Sequence, residues 1–353
     1  MKEIVNLIIW NPVDRRLRAF WRLFIEGFAW FNLVSIFTLI PLFLMWFAAV
    51  ASSHVEAENP MSTVDLLVDL MYQPEGLFVI QTVTFLTTLM VVGLAGRFLD
   101  RRRFADFGFH FSRRWWLDLA FGLFLGAFLM TGIFLVESAA GWVSVAGFAV
   151  SSLSGVPFGL AILLPITMFV FVGISEELSS RGYQLKNLAE GFNSKAFGPM
   201  AAILAATILS SISFALLHAA NPNVSVISVL NLIVAGVFLA AGYILTGELA
   251  ISIGIHITWN FFQGNVFGFP VSGLEPVAAR VIAIRETGPA FITGGLFGPE
   301  GGLIGLAAMA LGIALIALWV ILTRRKLALA DSIAQYRKGT GPDDGIPESG
   351  TGR

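Results

Sequence analysis

The sequence predicts an all-α polytopic membrane protein, a bundle of about eight transmembrane helices with both termini cytoplasmic. Two observations carry that prediction. Of the 353 residues, 56% are hydrophobic and 13% charged, at a mean hydropathy of +0.81, outside the balance of a soluble globular domain of this length. The formal net charge of -1 conceals a second feature, the gathering of Lys and Arg into a few segments between apolar runs. Cysteine is absent, which excludes disulfides, thiolate metal sites, cysteine nucleophiles and lipidation at cysteine. Any histidine chemistry must come from His54, His110, His218 or His256.

Residues 1–24 mix Lys2, Arg15, Arg16, Arg18 and Arg22 with Trp10, Phe20 and Trp21, the pattern of a basic amphipathic segment lying on the membrane. The apolar run that follows, about 25–52, is too long and starts too late for a cleavable signal peptide. Residues 53–76 are acidic, with Glu56, Glu58, Asp65, Asp69 and Glu75. A second run, 77–96, leads to the arginines at 97, 101, 102, 103, 113 and 114, and a third, 115–137, opens with Trp115 and Trp116. The fourth starts near Phe158 and runs into the glutamates at 176 and 177. Four more occupy about 200–218, 226–246, 249–267 and 302–323.

With both termini inside, the inner segments hold five, six, three and five Lys or Arg, and the outer ones only Arg280 and Arg285. The expected organisation is a basic amphipathic segment at 1–24 and three N-terminal spans with a basic inner loop at 25–157. A core at 158–268 follows, then an outer loop with the last span at 269–323 and a cytoplasmic basic tail at 324–353 whose last residues, 339–353, are expected to be disordered. No soluble domain and no internal repeat stands out, which weighs against a transporter of inverted repeats. GxxxG-like spacings in the glycine-rich spans suit helix packing within one chain or between chains.

Three short patterns hold most of the ionisable groups of the apolar half. In Glu176-Glu177-x-x-x-Arg181, Glu177 and Arg181 share a helix face, while Glu176 points about 100° away, so one glutamate can be structural and the other free. The alternative is the interfacial end of a span. In Phe214-x-x-x-His218 the phenyl ring can support the imidazole, although a lone histidine near a helix end is more often capped or solvated. In His256-x-x-x-Asn260 an imidazole and a carboxamide share one face of an apolar helix, a catalytic pair or a helix-to-helix hydrogen bond.

Helix arithmetic tests whether the patterns meet. Glu176 lies ~28 Å along a helix that starts at Pro157, and His256 ~12 Å from a start near Gly247, which are compatible depths. His218 joins them if the fourth helix continues to about residue 190 and the fifth returns from there. That arrangement puts the segment 219–225 at membrane depth, where protein must surround it.

The ordered triple ExxxR after a double Glu, FxxxH and HxxxN resembles the signature of the CPBP family, which contains type II CAAX prenyl endopeptidases, Abi proteins and bacteriocin-immunity proteins. The similarity is strongest over about 160–265. GIHITWNFFQGNVFGFPVSG and TGGLFGPEGG resemble an extended form seen in many bacterial members. Ser179 and Ser180 depart from the bulky apolar residues that many members carry between the glutamates and the arginine.

The resemblance implies an intramembrane glutamate-dependent endopeptidase. Glu176 would be the general base that activates water with help from His218, His256 and Asn260 would stabilise the oxyanion, and Glu177, Arg181 and Phe214 would support them. An apolar setting strengthens a carboxylate as a base, and fixed imidazole and amide donors suit a developing oxyanion. No cofactor is favoured. A zinc-dependent variant would use Glu176, His218 and His256 as ligands, without an HExxH motif. Gln263 and Asn265 are expected to line the same cavity, and His54 and His110 to have no chemistry.

The implied partners are the lipid bilayer and a membrane-anchored peptide or protein, a prenylated CAAX-like one included, and no nucleic acid. The implied setting is a bacterial inner membrane with the site toward the cytoplasm. A non-catalytic scaffold or immunity protein of the same fold and a proton-coupled transporter are the competing functions.

Overall fold

The computed structural model describes residues 2–53, 60–275 and 278–336. His54, Glu56, Glu58 and the tail 339–353 lie outside the described residues. Helix α1 (Lys2–Ile8) leads into a small antiparallel hairpin of β1 (Trp10–Asn11) and β2 (Arg16–Leu17), and then into α2 (Ala19–Ser53). Helices α3 (Pro60–Tyr72) and α4 (Pro74–Ala95) follow, and α4 continues as a π-helical turn, Gly96–Asp100. Ser112 caps α5 (Arg113–Ala139) by accepting a hydrogen bond from the Trp115 amide at 3.2 Å. Strand β3 (Val143–Ser151) leads to α6 (Phe158–Ala161), α7 (Leu163–Glu177), a π-helical stretch Leu178–Leu185 and α8 (Lys186–Phe192).

The fourth apolar run is thus helical almost without interruption to Phe192, as bringing His218 to Glu176 required. Helices α9 (Gly198–Leu217), α10 (Val226–Thr246) and α11 (Ala250–Phe261) complete the core, the last extended by the π-helical turn Phe262–Val266. Strand β4 (Ala279–Glu286), α12 (Ala290–Thr293) and two 3-10 turns precede α13 (Leu303–Arg324).

Among the described residues, seven helices are long and apolar enough to cross a membrane, and the chain is a multi-pass helical membrane bundle. The eighth apolar run, α11 with its π-helical turn, is shorter and sits inside the protein: every residue from Ala250 to Ile255 is buried. Its apolar character serves contact with α5, α7 and α10 more than contact with lipid. Helices α5 and α11 come together at glycines. A Cβ on Gly254 would lie 2.6 Å from the Leu119 carbonyl oxygen, and one on Gly122 2.4 Å from that of Ile251. The GxxxG pair Gly122 and Gly126 therefore packs helices within the chain.

Helix α2 is covered on one side only, and Phe20, Phe24, Phe28 and Phe31 stand exposed along it, as a lipid-facing helix requires. Its first turn is tied down differently from the expected surface segment. Arg16 and Arg22 are buried with Arg102 around Asp100 and Glu190, with Arg16 Nη2 to Glu190 Oε2 at 2.9 Å. The chain after α13 also docks on the bundle. Tyr336 lies over the Arg16 guanidinium at 3.5 Å, and Ile333 and Ala334 are buried.

The segment between α11 and α13 folds over the far end of the bundle. There β3 and β4 pair antiparallel, Val143 with Glu286 through Ser151 with Ala279. The loops around Asn221, Ser272 and Gly298 meet: Asn221 Nδ2 donates to the Ser272 carbonyl at 2.9 Å, and the Gly273 amide to the Phe297 carbonyl at 2.8 Å. Asn221 and Asn223 tie segment 219–225 to this loop cluster, but Ala219, Ala220, Pro222, Asn223 and Ser225 stay exposed, so protein covers the segment only in part, contrary to the expectation that it is surrounded.

Candidate active site

Helix α7 delivers two adjacent glutamates to different environments because successive helical residues point about 100° apart. Glu177 is fully buried. Its Oε1 accepts from Arg181 Nη1 at 2.9 Å, one turn on, and from His256 Nδ1 at 2.7 Å across on α11. Arg181 is itself buried, donates to the Gly236 carbonyl of α10 at 3.0 Å and has the Phe214 ring 4.7 Å away. Glu176 keeps 30% of its side chain exposed and faces an internal cavity.

His218 closes α9 as its C-cap residue, and its Nδ1 lies 2.8 Å from the Phe214 carbonyl oxygen. A carbonyl only accepts, so Nδ1 carries the hydrogen and Nε2 of a neutral ring holds the lone pair. The Phe214 ring centroid is 4.7 Å from the His218 ring and 6.3 Å from the His256 ring, so one phenyl group supports both imidazoles. The Glu177 carboxylate likewise places a hydrogen on His256 Nδ1, and His256 Nε2 lies 3.8 Å from Glu176 Oε2. Asn260, one turn along α11, faces the same space.

Glu176, His218, His256 and Asn260 all line one cavity of about 60 Å³, room for several waters. A larger cleft of about 580 Å³ between α2, α4, α7 and α9 shares Glu176, Phe214, His218 and Asn260 with it. Sequence reasoning missed two wall residues, Ser272 and Glu300. Glu300 is buried: its Oε1 accepts from the Ser272 amide at 2.6 Å, its other oxygen from Gln263 Nε2, and burial pushes its carboxyl up to about 7. The one signal for Glu300 was its place as the single acid in TGGLFGPEGG.

Gln263 and Asn265 are not cavity residues. Both are buried behind it, Gln263 donating to the Pro270 carbonyl and Asn265 to the Ala279 carbonyl at 2.5 Å each, because the π-helical turn directs them toward the outer segment. His110 lies 2.9 Å from Glu248 on an exposed loop, away from the cavity. Among the described residues no group of three or more His, Asp or Glu side chains is arranged to hold a metal ion. In both histidines Nδ1 is engaged, by Glu177 at His256 and by the Phe214 carbonyl at His218, which leaves Nε2 as the nitrogen of each ring available to a ligand.

No curated protein and no solved structure matches the chain. Residues 157–262 match the model of the family described as type II CAAX prenyl endopeptidase Rce1-like. That stretch holds Glu176, Glu177, Arg181, Phe214, His218, His256 and Asn260, and over it the chain is similar to the Rce1-like type II CAAX prenyl endopeptidase family.

Proposed function

We propose that the protein is an intramembrane endopeptidase that hydrolyses a peptide bond of a membrane-associated, CAAX-like substrate, with Glu176 as the base acting on water. The observation that carries this reading is the convergence of Glu176, His218, His256 and Asn260 on one cavity with room for water. Water between Glu176 and His218 meets two acceptors, the carboxylate and the lone pair on His218 Nε2. It is held while Glu176 takes its proton.

The substrate carbonyl then faces His256 and Asn260. To donate from Nε2 as well as from Nδ1, His256 must carry both hydrogens, and Glu177, held by Arg181, is placed to stabilise that cation. Arg181, Glu177, His256 and Glu176 form a row of alternating charge. As Glu176 is neutralised by the water proton, negative charge appears on the substrate oxygen beside the same imidazolium. The site's net charge is unchanged, which matters in a low-dielectric interior. Glu176 finally returns its proton to the leaving amine.

The distribution of Lys and Arg supports an orientation in which the α8 to α9 connection and the arginine-rich loop face the cytoplasm. The test is cleavage of membrane-anchored peptides by detergent-purified wild type and Glu176→Gln, each with and without a chelator. Wild type cuts with or without chelator, and the variant is slower by at least ~10³-fold. If neither protein cuts while both bind the peptide, a scaffold function replaces the enzyme.

A further inference from the structure

The large cleft runs away from the catalytic cavity along one face of α7 and its π-helical continuation. Ser175, Glu176, Ser179, Ser180 and Gln184 line that face in succession, a polar stripe in a helix otherwise set among apolar side chains. Ser179 and Ser180, the two residues that depart from the bulky apolar pattern, are what opens the stripe. Across the cleft, α2 contributes Leu23, Trp30, Phe31 and one carboxyl group, Glu26.

Glu26 is 7% exposed, and its Oε1 has no hydrogen-bond partner among the described residues. Arg22, one helical turn earlier, does not supply one. Its guanidinium is turned to Asp100 and Glu190. A carboxyl group that served only to balance the three buried arginines would touch one of them, and no ion pair to Glu26 is present among the described residues. Asp100, the charged group that acts on it, and Tyr183, on which it acts, supply no cation. Burying a carboxylate without a partner is costly, and a cationic group arriving in the cleft removes that cost.

We propose that Glu26 is a substrate-recognition residue, whose carboxylate receives a lysine or arginine side chain of the peptide lying along the Ser179 and Ser180 stripe. The spacing sets where that side chain sits. Glu26 acts on Tyr183, which stands seven residues beyond Glu176 on the same helix, or ~10 Å. An extended peptide advances ~3.3 Å per residue, so the cationic side chain belongs three to four residues from the bond held at Glu176. This site rests on the peptidase reading only for the identity of that bond. The binding step can be measured without cleavage.

The experiment uses the full chain carrying Glu176→Gln, which keeps a bound peptide intact, and a series of fluorescent membrane-anchored peptides. Each peptide has a single lysine moved along a norleucine-containing parent, and binding is read by anisotropy. Lysine at one position binds about tenfold tighter than the parent. That advantage disappears in Glu176→Gln/Glu26→Gln, which is isosteric at position 26, and passes to glutamate-bearing peptides in Glu176→Gln/Glu26→Lys. No advantage for lysine at any position, or an advantage that survives Glu26→Gln, overturns the proposal.

Cleavage by chains with Glu176 intact is read separately. Absence of cleavage with a Glu26-dependent lysine advantage defeats the peptidase reading and leaves the Glu26 site standing. Cleavage whose positional preference is the same in wild type and Glu26→Gln defeats the site and leaves the peptidase.

Discussion

Glu177 touches both Arg181, behind the cavity, and His256, in its wall, so its removal separates two effects. In Glu177→Gln the buried Arg181 loses its carboxylate and His256 its anionic support. Breaking a buried pair from one side costs about 3–5 kcal/mol, and denaturant unfolding in detergent should show that loss. Adding Arg181→Met to Glu177→Gln should recover most of the stability, because Arg181 is no longer a buried charge without its carboxylate, but not the cleavage rate, because His256 still lacks its anion.

Glu300 predicts a pH effect of opposite sign from an ordinary surface carboxylate. Burial raises its carboxyl from 4.5 to about 7 in the folded chain, so between those values the folded state binds more protons than the unfolded. Stability from this group is full below pH 4.5 and is lost as pH rises to about 7, a fall of about 3 kcal/mol. Unfolding midpoints measured across that range should show the decline in wild type and a shallower one in Glu300→Gln.

Single elements differ in how legible they were in the chain. Hydropathy located every apolar run, and the four-residue spacings of Glu177 with Arg181, Phe214 with His218 and His256 with Asn260 turned out to be contacts or shared walls. What hydropathy could not separate is burial in lipid from burial in protein. Helix α11 is as apolar as a span because α5, α7 and α10 surround it. Strands β3 and β4 escaped notice because each pairs with a partner far away in sequence, and alternation over a few residues is weak beside long apolar runs.

The same distance hid the docking of the N-terminal segment. Arg22 meets Glu190 across 168 residues, and no local pattern in a basic amphipathic stretch announces a buried carboxylate. Glu26 was invisible for a related reason. A single acid near the start of an apolar run reads as an interfacial residue until the neighbouring helices are in place around it.

At the scale of the whole molecule, the helices hold two halves of a site in register: α7 carries the acids, α9 and α11 the imidazoles, and α2 with α4 the open wall of the cleft. The orientation proposed from the Lys and Arg distribution can be tested directly, because the chain has no cysteine of its own. Ala196→Cys, in the exposed turn between α8 and α9, should react with a membrane-impermeant thiol reagent from the cytoplasmic side only. Ser144→Cys, exposed on β3, should react from the other side only.

The central claim is that the Glu176 carboxylate is the base that takes a proton from water. The most direct measurement is chemical rescue of Glu176→Ala by added formate, with cleavage of a membrane-anchored peptide as the readout. The variant should lose at least ~10²-fold of the rate and regain part of it in proportion to formate, whereas Asn260→Ala should not respond. Cleavage by Glu176→Ala at the wild-type rate would contradict the claim.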